Sequence, residues 1–182
     1  GKIYRIRRDL YTYYNDPLLV STYIIKPSYL TTASALSWHR LITQIPSEIF
    51  CGTLKKNAKI TFTAKINYIK VRDFSGVKIY EYEEFKIPIA TPEKALIDSV
   101  GVIPLPICEE SIEEIDAEET IRLLKKGSKS STIKRIGYLL ERNGENMHEK
   151  LKKYINKKYI LLDPLAKKTG KKNNKWKIII NI

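Results

Sequence analysis

Residues 2–14 set apolar Ile3 and Ile6 among basic Lys2, Arg5, Arg7 and Arg8, an alternation that predicts a short basic strand or hairpin arm. Asn15-Asp16-Pro17 then reads as a helix start, with Asn15 or Asp16 as N-cap and Pro17 in the first turn. That helix carries Leu18, Leu19, Ile24 and Ile25 and stops at Pro27. A second helix begins near Thr31-Thr32 and runs through Leu36, Trp38 and Leu41. The short 26–30 connection makes the two a compact helix pair. The pattern then shifts to short runs rich in β-branched and aromatic residues, at 49–54, 60–62, 67–71, 77–82 and 85–89. Ser75-Gly76 is the clearest turn between them.

Thr91-Pro92-Glu93 opens the next helix, with Ala95, Leu96 and Val100 on one face. An acidic stretch at 109–119 has Ile112 and Ile115 at helical spacing. Amphipathic helices follow at 121–126, 131–143 and 147–155, the second ended by Asn143-Gly144. Strands at 159–163 and 175–181 close the chain around a basic loop at 167–174. The prediction is an α+β fold in segregated blocks: a helix pair, a small mainly antiparallel sheet, then C-terminal helices with two closing strands.

At 182 residues, one domain or one domain with a small appendage is expected, and a hydrophobic share of 43% excludes a wholly disordered chain. No apolar run approaches the ~18–20 residues of a membrane span, and no signal peptide is visible, so the cytoplasm is the expected location. The net charge of +13 is unevenly placed. Residues 1–120 hold 15 Lys+Arg against 16 Asp+Glu, and residues 121–182 hold 18 against four. A charge break near 120 therefore points to a polyanionic partner, nucleic acid or an acidic protein surface, with a solvated Lys-rich face as the plainer alternative.

Catalytic chemistry has little to build on. Cys51 and Cys108 form no CxxC, the two histidines His39 and His148 lack a His or Cys at ligand spacing, and the eight glycines make no phosphate loop. One acidic group can be drawn as a metal-dependent nuclease of the PD-(D/E)xK type. It comprises Glu84 and Lys86 two apart on an expected strand, with Asp73 on an earlier one. The basic residues are stronger candidates, as DNA contacts: Lys2, Arg5, Arg7 and Arg8 on the arm, then Lys125, Lys126, Lys129, Lys134, Arg135, Lys150, Lys153, Lys171 and Lys172. No cofactor or metal is expected. A purely protein-binding module is the remaining alternative.

Several motifs occur in order along nearly the whole chain. They are Arg8-Asp9-Leu10-Tyr11 before Asp16-Pro17-Leu18-Leu19, Pro27-Ser28-Tyr29-Leu30, and Ser34-Ala35-Leu36-Ser37-Trp38-His39-Arg40-Leu41-Ile42 with Gln44-Ile45-Pro46. Next come Ala90-Thr91-Pro92-Glu93-Lys94-Ala95-Leu96-Ile97-Asp98, Arg135-Ile136-Gly137-Tyr138-Leu139-Leu140-Glu141, and Leu162-Asp163-Pro164 with Asn174-Lys175-Trp176-Lys177 and Asn181. The ordered set resembles the AbiEi-type antitoxins of type IV toxin–antitoxin and phage-defence systems. That resemblance implies a winged-helix DNA-binding part, followed by a domain that counteracts a nucleotidyltransferase-like toxin and assists repression of its own operon. On this reading residues 1–14 are the remnant of a wing and 15–182 the antitoxin domain. Where the family usually has Gly before Leu-Tyr this chain has Asp9, and where it has Gly after His this chain has Arg40.

Overall fold

The computed structural model describes residues 1–182, which divide into two compact units, Gly1–Thr91 and Pro92–Ile182. The division at 91/92 lies between the expected 14/15 boundary and the charge break near 120. The first unit opens with strands β1 (Tyr4–Arg7) and β2 (Leu10–Thr12), an antiparallel hairpin with a bulge, as the alternation predicts. Helix α1 (Pro17–Ile24) starts where the sequence places it. The Asp16 carboxylate accepts from the Leu18 amide at 2.8 Å and the Leu19 amide at 3.4 Å.

The expected 26–30 connection is instead strand β3 (Ser28–Leu30), wholly buried. Helix α2 (Thr32–Trp38) follows. Strands β4 (Glu48–Thr53), β5 (Ala58–Thr61), β6 (Lys65–Lys70), β7 (Val77–Tyr82) and β8 (Phe85–Ala90) match the predicted runs to within two residues. With β3 they form a six-stranded sheet in the order β5-β6-β4-β3-β8-β7. Three pairings are antiparallel, and β4–β6 and β3–β8 are parallel. Its core is Tyr29, Leu30, Cys51, Ile66, Tyr68, Ile87 and Ile89, over which α1 and α2 pack. Tyr29 lies opposite Gly52 in the sheet, and its ring occupies the space a Cβ there would need.

The second unit holds α3 (Pro92–Ser99), α4 (Leu105–Glu110), α5 (Ala117–Lys125), α6 (Ser130–Arg142) and α7 (His148–Leu151). The acidic stretch supplies α4, one 3-10 turn at Ile112–Glu114 and the start of α5. A three-stranded sheet closes the chain: β9 (Ile160–Leu161), β10 (Lys171–Asn173) and β11 (Ile178–Ile180), in the order β10-β11-β9. Strand β10 takes up part of the expected 167–174 loop. The architecture is α+β throughout, and no helix is long and apolar enough to cross a membrane.

Candidate nucleic-acid interface

On the hairpin, Arg5 and Arg7 stand two apart on β1 and are exposed, while Ile6 between them is buried. Arg8 and Asp9 form a fully exposed pair at 3.6 Å, and the Lys2 ammonium lies 5.3 Å from the Tyr4 ring centroid. Exposed Tyr11 faces Arg5 across the hairpin, so cationic and aromatic side chains share this arm.

In the second unit the candidates divide sharply. Lys125 and Lys126 end α5 and Lys129 precedes α6; all three are exposed. Lys150, Lys153, Lys171 and Lys172 are exposed as well. Lys153 sits over the Tyr154 ring, and Lys172 with Lys177 flanks Tyr159, at 5.4 and 5.5 Å.

Lys134 and Arg135 are corrections. Lys134 is fully buried, its ammonium donating to Asn156 Oδ1 at 2.7 Å and to the Lys158 carbonyl. Burial, reinforced by the Lys177 charge, holds its pKa below the ordinary lysine value. The Arg135 guanidinium donates through Nε to the carbonyls of Leu161 (3.1 Å) and Leu162 (3.0 Å), and burial lowers its pKa too. An ammonium bonded internally on a fully buried lysine cannot reach a phosphate, and the carbonyl-bonded Nε of half-buried Arg135 turns that guanidinium inward. Lys134 ties α6 to the 156–158 loop, and Arg135 ties it to β9 of the closing sheet.

The nuclease triple is not assembled either. Asp73 lies in the loop before β7 and accepts from the Ser75 amide at 2.7 Å, which fixes a turn. Glu84 sits in the β7–β8 turn, and Lys86 faces Glu81 across that hairpin. The whole of β7, about 17 Å at ~3.4 Å per residue, separates Asp73 from Glu84. No cluster of three metal-ligating side chains exists anywhere in the chain. Cys51 and Cys108 are buried inert thiols, each pushed up to about 12 chiefly by desolvation.

Periodicity did not foretell the way the separated motifs converge. Trp176, fully buried, lies on α6 where Gly137 leaves room; a Cβ on that glycine would overlap the indole ring. The indole Nε1 donates to Glu141, which also receives Lys175. Burial acts to raise the Glu141 carboxyl, but these two bonds together with the charges of Lys175 and His148 outweigh it and hold it below the ordinary value. Asp163 accepts from the amides of Leu105 (3.1 Å) and Leu165 (2.8 Å). Asn181 clamps the Asp163 and Lys167 carbonyls at 2.6 Å each. Lys94 and Asp98, one helical turn apart on α3, form a buried ion pair at 2.9 Å.

Two backbone details bear on the same motifs. Asp9 and Arg40, the positions where the resembled family carries Gly, have φ of +59° each. That is the left-handed region where glycine is favoured.

Chain and site together define an α+β protein of two units, each with exposed basic side chains. Among solved structures, the Rv2827c protein from Mycobacterium tuberculosis shares this fold, with a TM-score of 0.66 at 15% identity. The match covers 94% of this chain and 69% of that one, and at such identity it speaks to the fold alone. No family model matches the sequence, and no curated protein matches it.

Proposed function

We propose that this chain is an antitoxin-type regulator of the AbiEi kind: a non-catalytic cytoplasmic protein that binds operator DNA and neutralises a nucleotidyltransferase-like toxin. The observation that carries the reading is the convergence of motifs whose touching residues lie up to 35 residues apart by hydrogen bond and further still at the Gly137–Trp176 contact. Arg135, Gly137 and Glu141 of α6 meet Leu162, Trp176 and Lys175 in one packed, hydrogen-bonded assembly. Motifs that define a family by order alone need not touch; here they build one unit. The left-handed φ at Asp9 and Arg40 supports the same reading, because it supplies the backbone reason for the family's glycines.

DNA contact is assigned to the exposed lysines Lys125, Lys126, Lys129, Lys150, Lys153, Lys171 and Lys172 and to the hairpin cations Lys2, Arg5, Arg7 and Arg8. Lysines without bidentate geometry favour backbone phosphates over base edges, so this contact is expected to be strong in charge and weak in sequence preference. The test is a pair of assays. The reading expects a nucleotidyltransferase-like toxin gene beside this one, and co-expression with its product should restore growth that the toxin alone arrests. A gel shift with the upstream duplex should show binding at low salt. No rescue removes the antitoxin reading; no shift removes the DNA half of it.

A further inference from the structure

Between α7, the 155–157 loop and the turn before β11 lies a cleft of about 220 Å³. Its walls carry Lys152, Lys157, Lys175 and Lys177 together with His148 and Asn156, and no carboxylate lines it. Glu149 takes Lys152 at 2.5 Å and Glu141 takes Lys175, both from outside the cleft. Lys157 and Lys177 make no ion pair, and the Lys177 charge reaches far enough inward to disfavour the ammonium of Lys134. Concentrating unpaired ammonium groups in one concavity raises its potential and calls for an anion.

The rest of the cleft is built. The Asn156 Oδ1 is engaged by Lys134 at 2.7 Å and by the Lys158 amide at 3.2 Å, which leaves its amide NH2 as a donor. His148 is fixed by the Lys175 carbonyl at 3.2 Å and stands perpendicular to Trp176, with ring centroids 5.1 Å apart. That indole is itself locked over Gly137. The walls therefore hang on a buried scaffold rather than on a floppy loop.

We infer that this cleft is a phosphate-binding site, its ligand group the phosphate of a nucleotide or of a nucleic-acid backbone. The volume is below the ~300–1,000 Å³ of a pocket for a whole drug-sized ligand, and suits one charged group with part of its sugar. Converging lysines without an arginine fork suit a tetrahedral phosphate better than a planar carboxylate. The nucleic-acid source rests on the DNA reading proposed above; the phosphate chemistry does not.

Two measurements on the full chain separate the sources. Inorganic phosphate, titrated at constant ionic strength against 15N-labelled protein, should shift the Trp176 indole and His148 resonances saturably. Duplex DNA binding should fall about tenfold in Lys157→Gln/Lys177→Gln, and less than about threefold in Lys167→Gln/Lys168→Gln, which removes equal charge from exposed positions outside the cleft. Phosphate shifts without a difference between the two variants assign the cleft to a free nucleotide or phosphate. If wild type binds no duplex, the DNA reading fails and the phosphate titration alone decides the cleft. No saturable shift, with equal losses in both variants, overturns the inference.

Discussion

The two units carry almost the same net charge and carry it differently. Residues 1–91 hold 14 Lys+Arg and seven Asp+Glu, interspersed along the chain, for +7. Residues 92–182 hold 19 and 13, for +6, but nine of those acids lie in 92–120 beside a single lysine, Lys94. The second unit is thus a charge dipole within one folded body. Its acidic segment reaches its basic one, Glu118 pairing with Lys150 and Glu109 with Arg142 at 2.5 Å. A division of charge along a chain is therefore not a division between domains. The basic remainder of the second unit is partly neutralised from within by several ion pairs, whereas on the hairpin of the first only Arg8 has an acid partner, Asp9.

The largest expected effect concerns the scaffold beneath the second unit's basic face. Trp176→Ala should cost about 3–5 kcal/mol, the usual range for emptying a buried indole site. Gly137→Ala should also destabilise, by at least ~1–3 kcal/mol, because the ring it meets is itself locked. Hydrogen exchange across 130–180 reads both; unchanged protection there would separate the motif assembly from stability.

Alkaline pH should act on both units, since each has one buried thiol. Cys51 and Cys108 titrate near 9.0 when unfolded and at about 12 when folded. Folded-state pKa values lie above the unfolded ones, so the stability held below pH 9 should fall progressively as pH rises towards 12. Both thiols should ignore a disulfide reagent at pH 8 in the native protein and react on unfolding. A thiol reactive in the native state would contradict the burial of its unit.

A smaller effect has the opposite sign. Arg40→Gly should raise stability by about 0.5–1 kcal/mol in thermal melts, and Asp9→Gly by less, because Asp tolerates left-handed φ better than Arg. A loss at Arg40 would remove the backbone explanation of the family's glycine. Smallest of all, Glu118→Gln should free Lys150 and raise duplex affinity by up to about threefold, given the modest worth of exposed pairs.

Much of this was legible in the chain. β7 was predicted at its observed bounds, and α1 and α3 at their first residues, because Pro, cap and turn residues mark those boundaries. β3 was missed because three residues after a proline carry too short a period to read; its neighbours β4 and β8 make it a strand. Lys134 and Arg135 were misassigned because a charge run shows no depth. Lys134, Gly137 and Glu141 share one stripe of α6, and the glycine in it was the available sign that something large packs there. The nuclease triple fails because neither acid is on a strand: Glu84 falls in a two-residue turn, and Asp73 in a loop at the far end of β7.

The measurement that bears most directly on the basic exterior of the second unit is the salt dependence of duplex binding. Log affinity against log salt should fall with a slope of about −0.9 per phosphate contacted, and Lys171→Gln/Lys172→Gln should flatten it by about 1.8. Absent binding at about 50 mM salt, or a slope that those substitutions leave unchanged, would contradict the account.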